Sequence, residues 1–324
     1  MEWNDLVNRT RRQKVIQLTL SFITILIWAS AYVGVRMATP HFTPTALSML
    51  RFLAASLTVL VMMPFHKMSR PALRDLPLFL LSALCAYSLY SIIMALGART
   101  VTASVSSFIM ALSPVVVPMF ARLILKERLH RIQLLSVAVS ATGVSIMLFT
   151  DKSFSIEVGV LWVLLGAVLF ALYNIIQRLL LKRYETFELI AYSTLLGTVT
   201  LLPFLPSGWQ ALTAAPLWSA WVLLYLGVAS TISYLLWGMA LKLAAHTSEV
   251  TNFMFGTPIL TTILGFAAIG ELPPISAYIG GGLMLTGLVL STLTPKRVAD
   301  ELCEKEPCEG EKALCGSEAK LPTE

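Results

Sequence analysis

The sequence is 324 residues long, 56% apolar and only 13% charged, with 24 Lys and Arg against 18 Asp and Glu. An average soluble domain carries roughly 25% charged residues, so a water-soluble fold could not hide this much apolar surface and lipid is the solvent to reason with. The net charge of +6 comes from basic residues in short clusters between apolar runs, which form no continuous face for nucleic acid.

The chain opens on RTRRQK and an apolar run, with Ala29-Ser30-Ala31 imitating a signal-cleavage site. That run is about 20 residues, longer than the roughly 7 to 15 of a signal core, so it reads as a first span behind a cytoplasmic segment, 1–14. Apolar runs long enough to cross a hydrocarbon core of about 30 Å then predict spans at 15–35, 44–64, 76–97, 102–123, 132–150, 158–178, 187–205, 217–238, 247–269 and 276–294. Pro40 and Pro44 frame the first loop, and Pro71 and Pro77 punctuate the second. Residues 295–324, rich in Glu and Lys, read as a disordered cytoplasmic tail. Cys303, Cys308 and Cys315 lie in it with spacings unlike any zinc motif, and Cys85 sits in an apolar run.

Orientation follows from Lys and Arg, which stay on the cytoplasmic side of a span. With the amino terminus inside, sixteen basic residues fall on inner segments and only Arg36, Arg99 and Lys152 on outer ones. The asymmetry requires an even number of spans, so both termini are expected in the cytoplasm.

The sequence also repeats. ALSPVVVPMFARLILKERLHRIQLLSVAVSATGVSIM matches MFGTPILTTILGFAAIGELPPISAYIGGGLMLTGLVL at an offset of 144, aligning Pro114 with Pro258, Glu127 with Glu271, Gly143 with Gly287 and, upstream, Tyr90 with Tyr234. Near the starts of the halves, Trp28-Ala29 corresponds to Phe170-Ala171 and Arg36 to Arg178 at an offset of 142. Five spans per unit is odd, so the second unit enters the membrane inverted. The expected fold is therefore all-α and integral to the membrane, ten helices in two inverted five-helix repeats, 15–150 and 158–294, with a substrate site near the midplane between them.

The opening IWASAYVGVR, the LRFLAA of the second span and the repeated Pro-x12-Glu block resemble the EamA-type branch of the drug/metabolite transporter superfamily over residues 15 to 294. The resemblance implies a secondary carrier of the plasma (bacterial inner) membrane whose cavity is lined by spans 1, 3, 4, 6, 8 and 9, exporting amino acids or other small metabolites. The second half departs from the motif's Glu-Arg pair, reading Glu271-Leu272-Pro273-Pro274.

On those spans the wall is aromatic and hydroxylic. Trp28, Tyr32, Tyr87, Tyr90, Ser91, Ser107, Tyr173, Asn174, Tyr234, Trp237 and Asn252 are the candidate cavity residues, although each alone also suits helix packing or an interfacial belt. Such a wall suits a neutral, zwitterionic or amphipathic solute better than a polyphosphate. Charges in spans are costly and therefore few. Glu249, opening span 9, is the candidate for proton coupling, against the plainer reading of a helix-end carboxylate. Arg51 reads chiefly as a structural clamp, against the rival reading of a fixed positive charge facing an anionic group; Glu127 and Glu271 read as acids holding inter-helix turns, and Pro114 and Pro258 as mid-span kinks that serve as hinges rather than static bends. Small residues on spans 5 and 10 suit close contact within one chain or in a homodimer.

No cofactor or metal is expected: no Walker-type string is present, and all four His fall in loops. The same observation weighs against a membrane-embedded enzyme on lipid substrates, which needs carboxylate pairs, His clusters or metal ligands within spans. A lipid or lipid-linked-sugar flippase of the same fold stays open as the alternative to a metabolite carrier.

Overall fold

The structure is a computed structural model in which residues 3–66, 68–113, 116–117, 120, 135, 138–139, 142–143, 145–146, 158–244, 250–273 and 275–292 are described. Every described element is helical: α1 (Trp3–Ala38), α2 (Pro44–Met62), α3 (Leu76–Ala86), α4 (Ser88–Gly97), α5 (Ala103–Met110), α6 (Val158–Leu181), α7 (Thr186–Leu201), α8 (Leu205–Ala214), α9 (Leu217–Leu243), α10 (Gly256–Ile269) and α11 (Ile275–Thr292), with short 3₁₀ turns between some of them. Among the described residues, six stretches are long and apolar enough to cross a membrane, and 44–61% of each one's most apolar stretch is buried. The outward remainder carries large apolar side chains such as Leu57, Leu60, Val61, Val199 and Trp221. Helices that are apolar on the packed and the unpacked face alike belong in lipid. The protein is an all-α, multi-pass membrane protein.

Helix ends follow local chemistry. Thr43 and Thr102 cap α2 and α5, each hydroxyl accepting a backbone N–H three residues on, from Ala46 at 3.3 Å and Val105 at 3.2 Å. Pro44 opens α2 where its missing N–H costs nothing. The predicted third span is two helices broken at Tyr87, whose backbone sits at φ −116°, ψ −70°. In lipid a loosened carbonyl needs a partner, and Tyr234 Oη donates to the Ala86 carbonyl there at 2.8 Å. The predicted seventh span runs past residue 205, because Pro203 and Pro206 restart it through a 3₁₀ turn (Leu202–Phe204) into α8. Pro258 is the third residue of α10, following the 3₁₀ turn Asn252–Phe255. A proline in a first helical turn removes no intrahelical bond, so the irregularity of that span lies in the 3₁₀ turn rather than in a kink at Pro258. Most of the predicted fifth span and the end of the fourth, with Pro114 and Glu127, lie outside the described residues.

The bundle is pulled together by close approach and hydroxyl bridges. α2 lies among α4, α7, α8 and α9, and α1 packs on α9 and α10. Gly227 of α9 meets α2 so tightly that a Cβ there would stand 2.4 Å from Ala54 Cβ and 2.7 Å from the Arg51 carbonyl. Thr198 donates to the Phe52 carbonyl at 2.9 Å, Thr231 to the Ala55 carbonyl at 3.1 Å, and Ser82 and Ser193 share a bond at 3.0 Å. Between apolar helices in lipid the hydrophobic effect adds nothing, and such contacts carry the association.

Candidate functional site

The antiparallel course of the helices gives the bundle two ends. At one lie the close of α1, the start of α2, the turn from α4 to α5 and the loop after α10. At the other lie the loop before α3, the turn from α6 to α7 and the close of α9. The second end is pinned by polar contacts: Asp75 accepts from Arg183 at 2.7 Å and from Tyr184 Oη at 2.8 Å, Tyr192 Oη donates to the Ser69 carbonyl at 2.7 Å, and Glu188 accepts the Ser69 N–H.

A cavity occupies the middle of the bundle and extends toward the first end. Its wall is Trp28, Ala31, Tyr32 and Val35 of α1, Arg51 of α2, Tyr90 and Met94 of α4, Ala98 in the turn, Ala103, Ser106 and Met110 of α5, Phe170 of α6, Tyr234 of α9 and Met254 before α10. Val35 is three residues from the end of α1 and Ala103 opens α5, which fixes the direction in which the cavity runs.

Of the residues singled out from sequence, Trp28, Tyr32, Tyr90 and Tyr234 line this cavity. Tyr87, Tyr173 and Trp237 lie in a packed layer on the opposite side of it from the first end, at most 1% exposed. Trp28 joins the two groups, its ring 4.7 Å from Trp237 and 5.5 Å from Phe170, while Tyr87 and Tyr234 stack obliquely at 4.8 Å. Asn174 belongs to the packed layer, donating to the Phe170 carbonyl at 2.8 Å and accepting from Trp237 Nε1 at 3.0 Å. Ser91 is buried off the cavity, and Ser107 donates to the Ser104 carbonyl of its own helix at 2.7 Å. Asn252 falls in the 3₁₀ turn before α10, and Glu249 lies outside the described residues.

Arg51 is in the cavity wall. Its Nε donates to Ser230 Oγ at 2.9 Å, and its guanidinium carbon stands 5.4 Å from the Phe52 ring centre. Tyr32, Tyr90 and Tyr234 lie near enough to feel its charge. Sequence reasoning also passed over Phe170, Met110 and Met254. Helix periodicity marks a face but not a depth, and apolar wall residues look like core.

Glu271 sits at the first end. Gly270 closes α10 at φ +64°, a left-handed turn that glycine adopts without strain. Glu271 Oε1 then accepts from Arg36 Nε at 3.0 Å and Oε2 from the Ala103 N–H at 3.1 Å, while Arg36 also donates to the Ala98 carbonyl. Among the described residues no group of three or more His, Cys, Asp or Glu could hold a metal ion.

The model of the EamA-like transporter family matches residues 15–149 and again 157–293. The chain belongs to that family. Relatives of known sequence align along most of its length: an uncharacterized transporter, YdfC, of Bacillus subtilis (strain 168) is 28% identical over 87% of this chain and 93% of its own. A probable terminal-alkyne amino-acid exporter of Streptantibioticus cattleyicolor is 29% identical over 83% of this chain and 90% of its own. A solved crystal structure superposes with a TM-score of 0.61 at 18% identity, covering 88% of this chain and 98% of that one, a likeness of fold. This EamA-like protein is a membrane transporter and not an enzyme.

Proposed function

We propose that this protein is a secondary active exporter of amino acids or other small metabolites at the plasma membrane, working by alternating access. Its ten spans form two inverted five-helix repeats with both chain ends in the cytoplasm, the orientation that the basic residues favour. The observation that carries the reading is the cavity itself. First-half residues Trp28, Tyr32 and Tyr90 face second-half residues Phe170, Tyr234 and Met254 across it, and a layer of buried aromatic side chains closes it toward the end bearing most of the basic residues. A solute path shared by two halves and blocked at one end is what a carrier needs, because rocking the halves moves the block to the other end. The amino-acid exporter among its relatives supports the substrate class.

Uptake of radiolabelled amino acids into inverted vesicles, with and without an imposed pH gradient, tests this. Uptake that depends on the protein and rises with the gradient is the expected result; none above that of vesicles lacking the protein rejects the reading. Glu249 remains the candidate for coupling, and Glu249→Gln should abolish the response to pH while Glu249→Asp keeps it. An unchanged response in Glu249→Gln removes that role.

A further inference from the structure

A lone cation in a span is expensive unless something compensates it. Among the described residues Arg51 has one hydrogen-bond partner, Ser230 Oγ on its Nε, and a neighbouring aromatic ring. Among the described residues no Asp or Glu lines the cavity into which it faces, and the ionisable neighbours there are the phenols of Tyr32, Tyr90 and Tyr234. A second group in the same wall lacks a partner: Ser106, 3% exposed, has a hydroxyl that meets no hydrogen-bonding atom among the described residues. The rest of the wall is apolar or aromatic, with Trp28, Phe170, Met94, Met110 and Met254 on it.

We infer that Arg51 is the substrate anchor, holding the carboxylate of an organic anion or zwitterion whose apolar body lies against the Trp28–Phe170 side of the cavity. The fork of the guanidinium matches a carboxylate in a way that an ammonium or amide cannot exploit, and Ser106 supplies a further donor. The described wall holds neither an acid for a second positive charge nor a second Lys or Arg for a second negative one, so a dication and a dianion are disfavoured and an ammonium is held by ring faces. This assignment names the substrate class of the cavity and rests on the carrier reading only for the choice of site.

The test is the thermal midpoint of the purified protein with four probes of one shape: 3-phenylpropionate, L-phenylalanine, L-phenylalaninamide and 2-phenylethylamine. The two carboxylates should raise it and the amide and amine should not. Arg51→Gln should weaken carboxylate binding roughly 10- to 100-fold, the loss expected for hydrogen bonds to a charged group, while the amide and amine still give no shift. Should Arg51→Gln fail to fold, Arg51→Lys keeps the charge, removes the fork and should still bind the carboxylates more weakly than the native protein. Equal shifts from amide and carboxylate, or no shift from any probe, overturn the assignment; a merely structural Arg51 would change the midpoint without changing selectivity between them. A shift from phosphatidylglycerol micelles that needs Arg51, without one from the carboxylates, would replace the soluble carboxylate by a lipid phosphate. Carboxylate-selective binding without amino-acid transport would leave the anchor standing and reject the exporter, whereas transport equally fast for the amide would do the reverse.

Discussion

Tyr234 serves two purposes, since its ring lines the cavity while its hydroxyl ties the Ala86 carbonyl at the break between α3 and α4. Tyr234→Phe keeps the ring and removes only the bond. Interhelical hydrogen bonds within membranes average about 0.6 kcal/mol and reach about 1.7. The variant should therefore lose about 1 kcal/mol in a denaturing-detergent titration; stability equal to the native protein would mean that the carbonyl finds another partner. Trp237→Phe is a harsher change, because it leaves the buried Oδ1 of Asn174 without its donor, and it should cost about 1–3 kcal/mol in the same titration. The sequence named Trp28, Tyr90, Tyr234 and Trp237 together, yet it could not say that Trp237 lies in the packed layer and Tyr234 in the wall. Both sit on one face of α9, and only their neighbours distinguish them. For Arg51 the sequence showed a charge on a span but not the residues facing it, and it is those that turn a clamp into a candidate anchor.

Helix-to-helix distance decides what a glycine is worth. Gly227→Ala would force α9 and α2 apart at Ala54 and at the backbone between Arg51 and Ala55, so it should destabilise by about 1–3 kcal/mol, the range for overpacking. Gly282 of α11 has nothing among the described residues within 4 Å of an added Cβ, and Gly282→Ala should be neutral or stabilise by up to about 1 kcal/mol. Equal effects at both positions would mean that the contact between α2 and α9 is looser than it stands. Apolar length alone was enough to locate α1, α2, α6 and α9, because a span needs little more than about 20 apolar residues. The break at Tyr87 was not legible: no proline or glycine marks it, and it is held by partners distant in sequence, Tyr234 through its hydroxyl and Gly197, whose missing Cβ makes room for the Tyr87 side chain.

The two halves meet at the first end through Arg36 of α1, Glu271 beyond α10 and the turn 98–103 between α4 and α5. The repeat aligned Arg36 with Arg178 and Glu271 with Glu127, but an alignment of one half on the other cannot reveal which residue of the first touches which of the second. That is a property of how the halves dock. The pair is partly shielded, with Arg36 at 29% and Glu271 at 15% side-chain exposure, and each partner also holds a backbone group, so it outweighs an ordinary surface ion pair. It braces the end toward which the cavity runs. Glu271→Gln should release Arg36 and weaken the hold on the Ala103 N–H, loosening α1 against the turn and exposing the wall more often. If the tie contributes about 1.4 kcal/mol to the braced state, its loss shifts that equilibrium by roughly tenfold. With Cys85, Cys303, Cys308 and Cys315 replaced by Ser and a reporter introduced by Ala98→Cys, a membrane-impermeant maleimide should label the Glu271→Gln protein faster than its parent. Reversing the pair, Arg36→Glu with Glu271→Arg, should restore part of the protection, because the charges still attract although the backbone contacts are lost. Labelling at the parental rate in Glu271→Gln would mean that the halves are held at this end by packing alone, through contacts such as Thr262 of α10 on Ser104 of α5 at 3.1 Å.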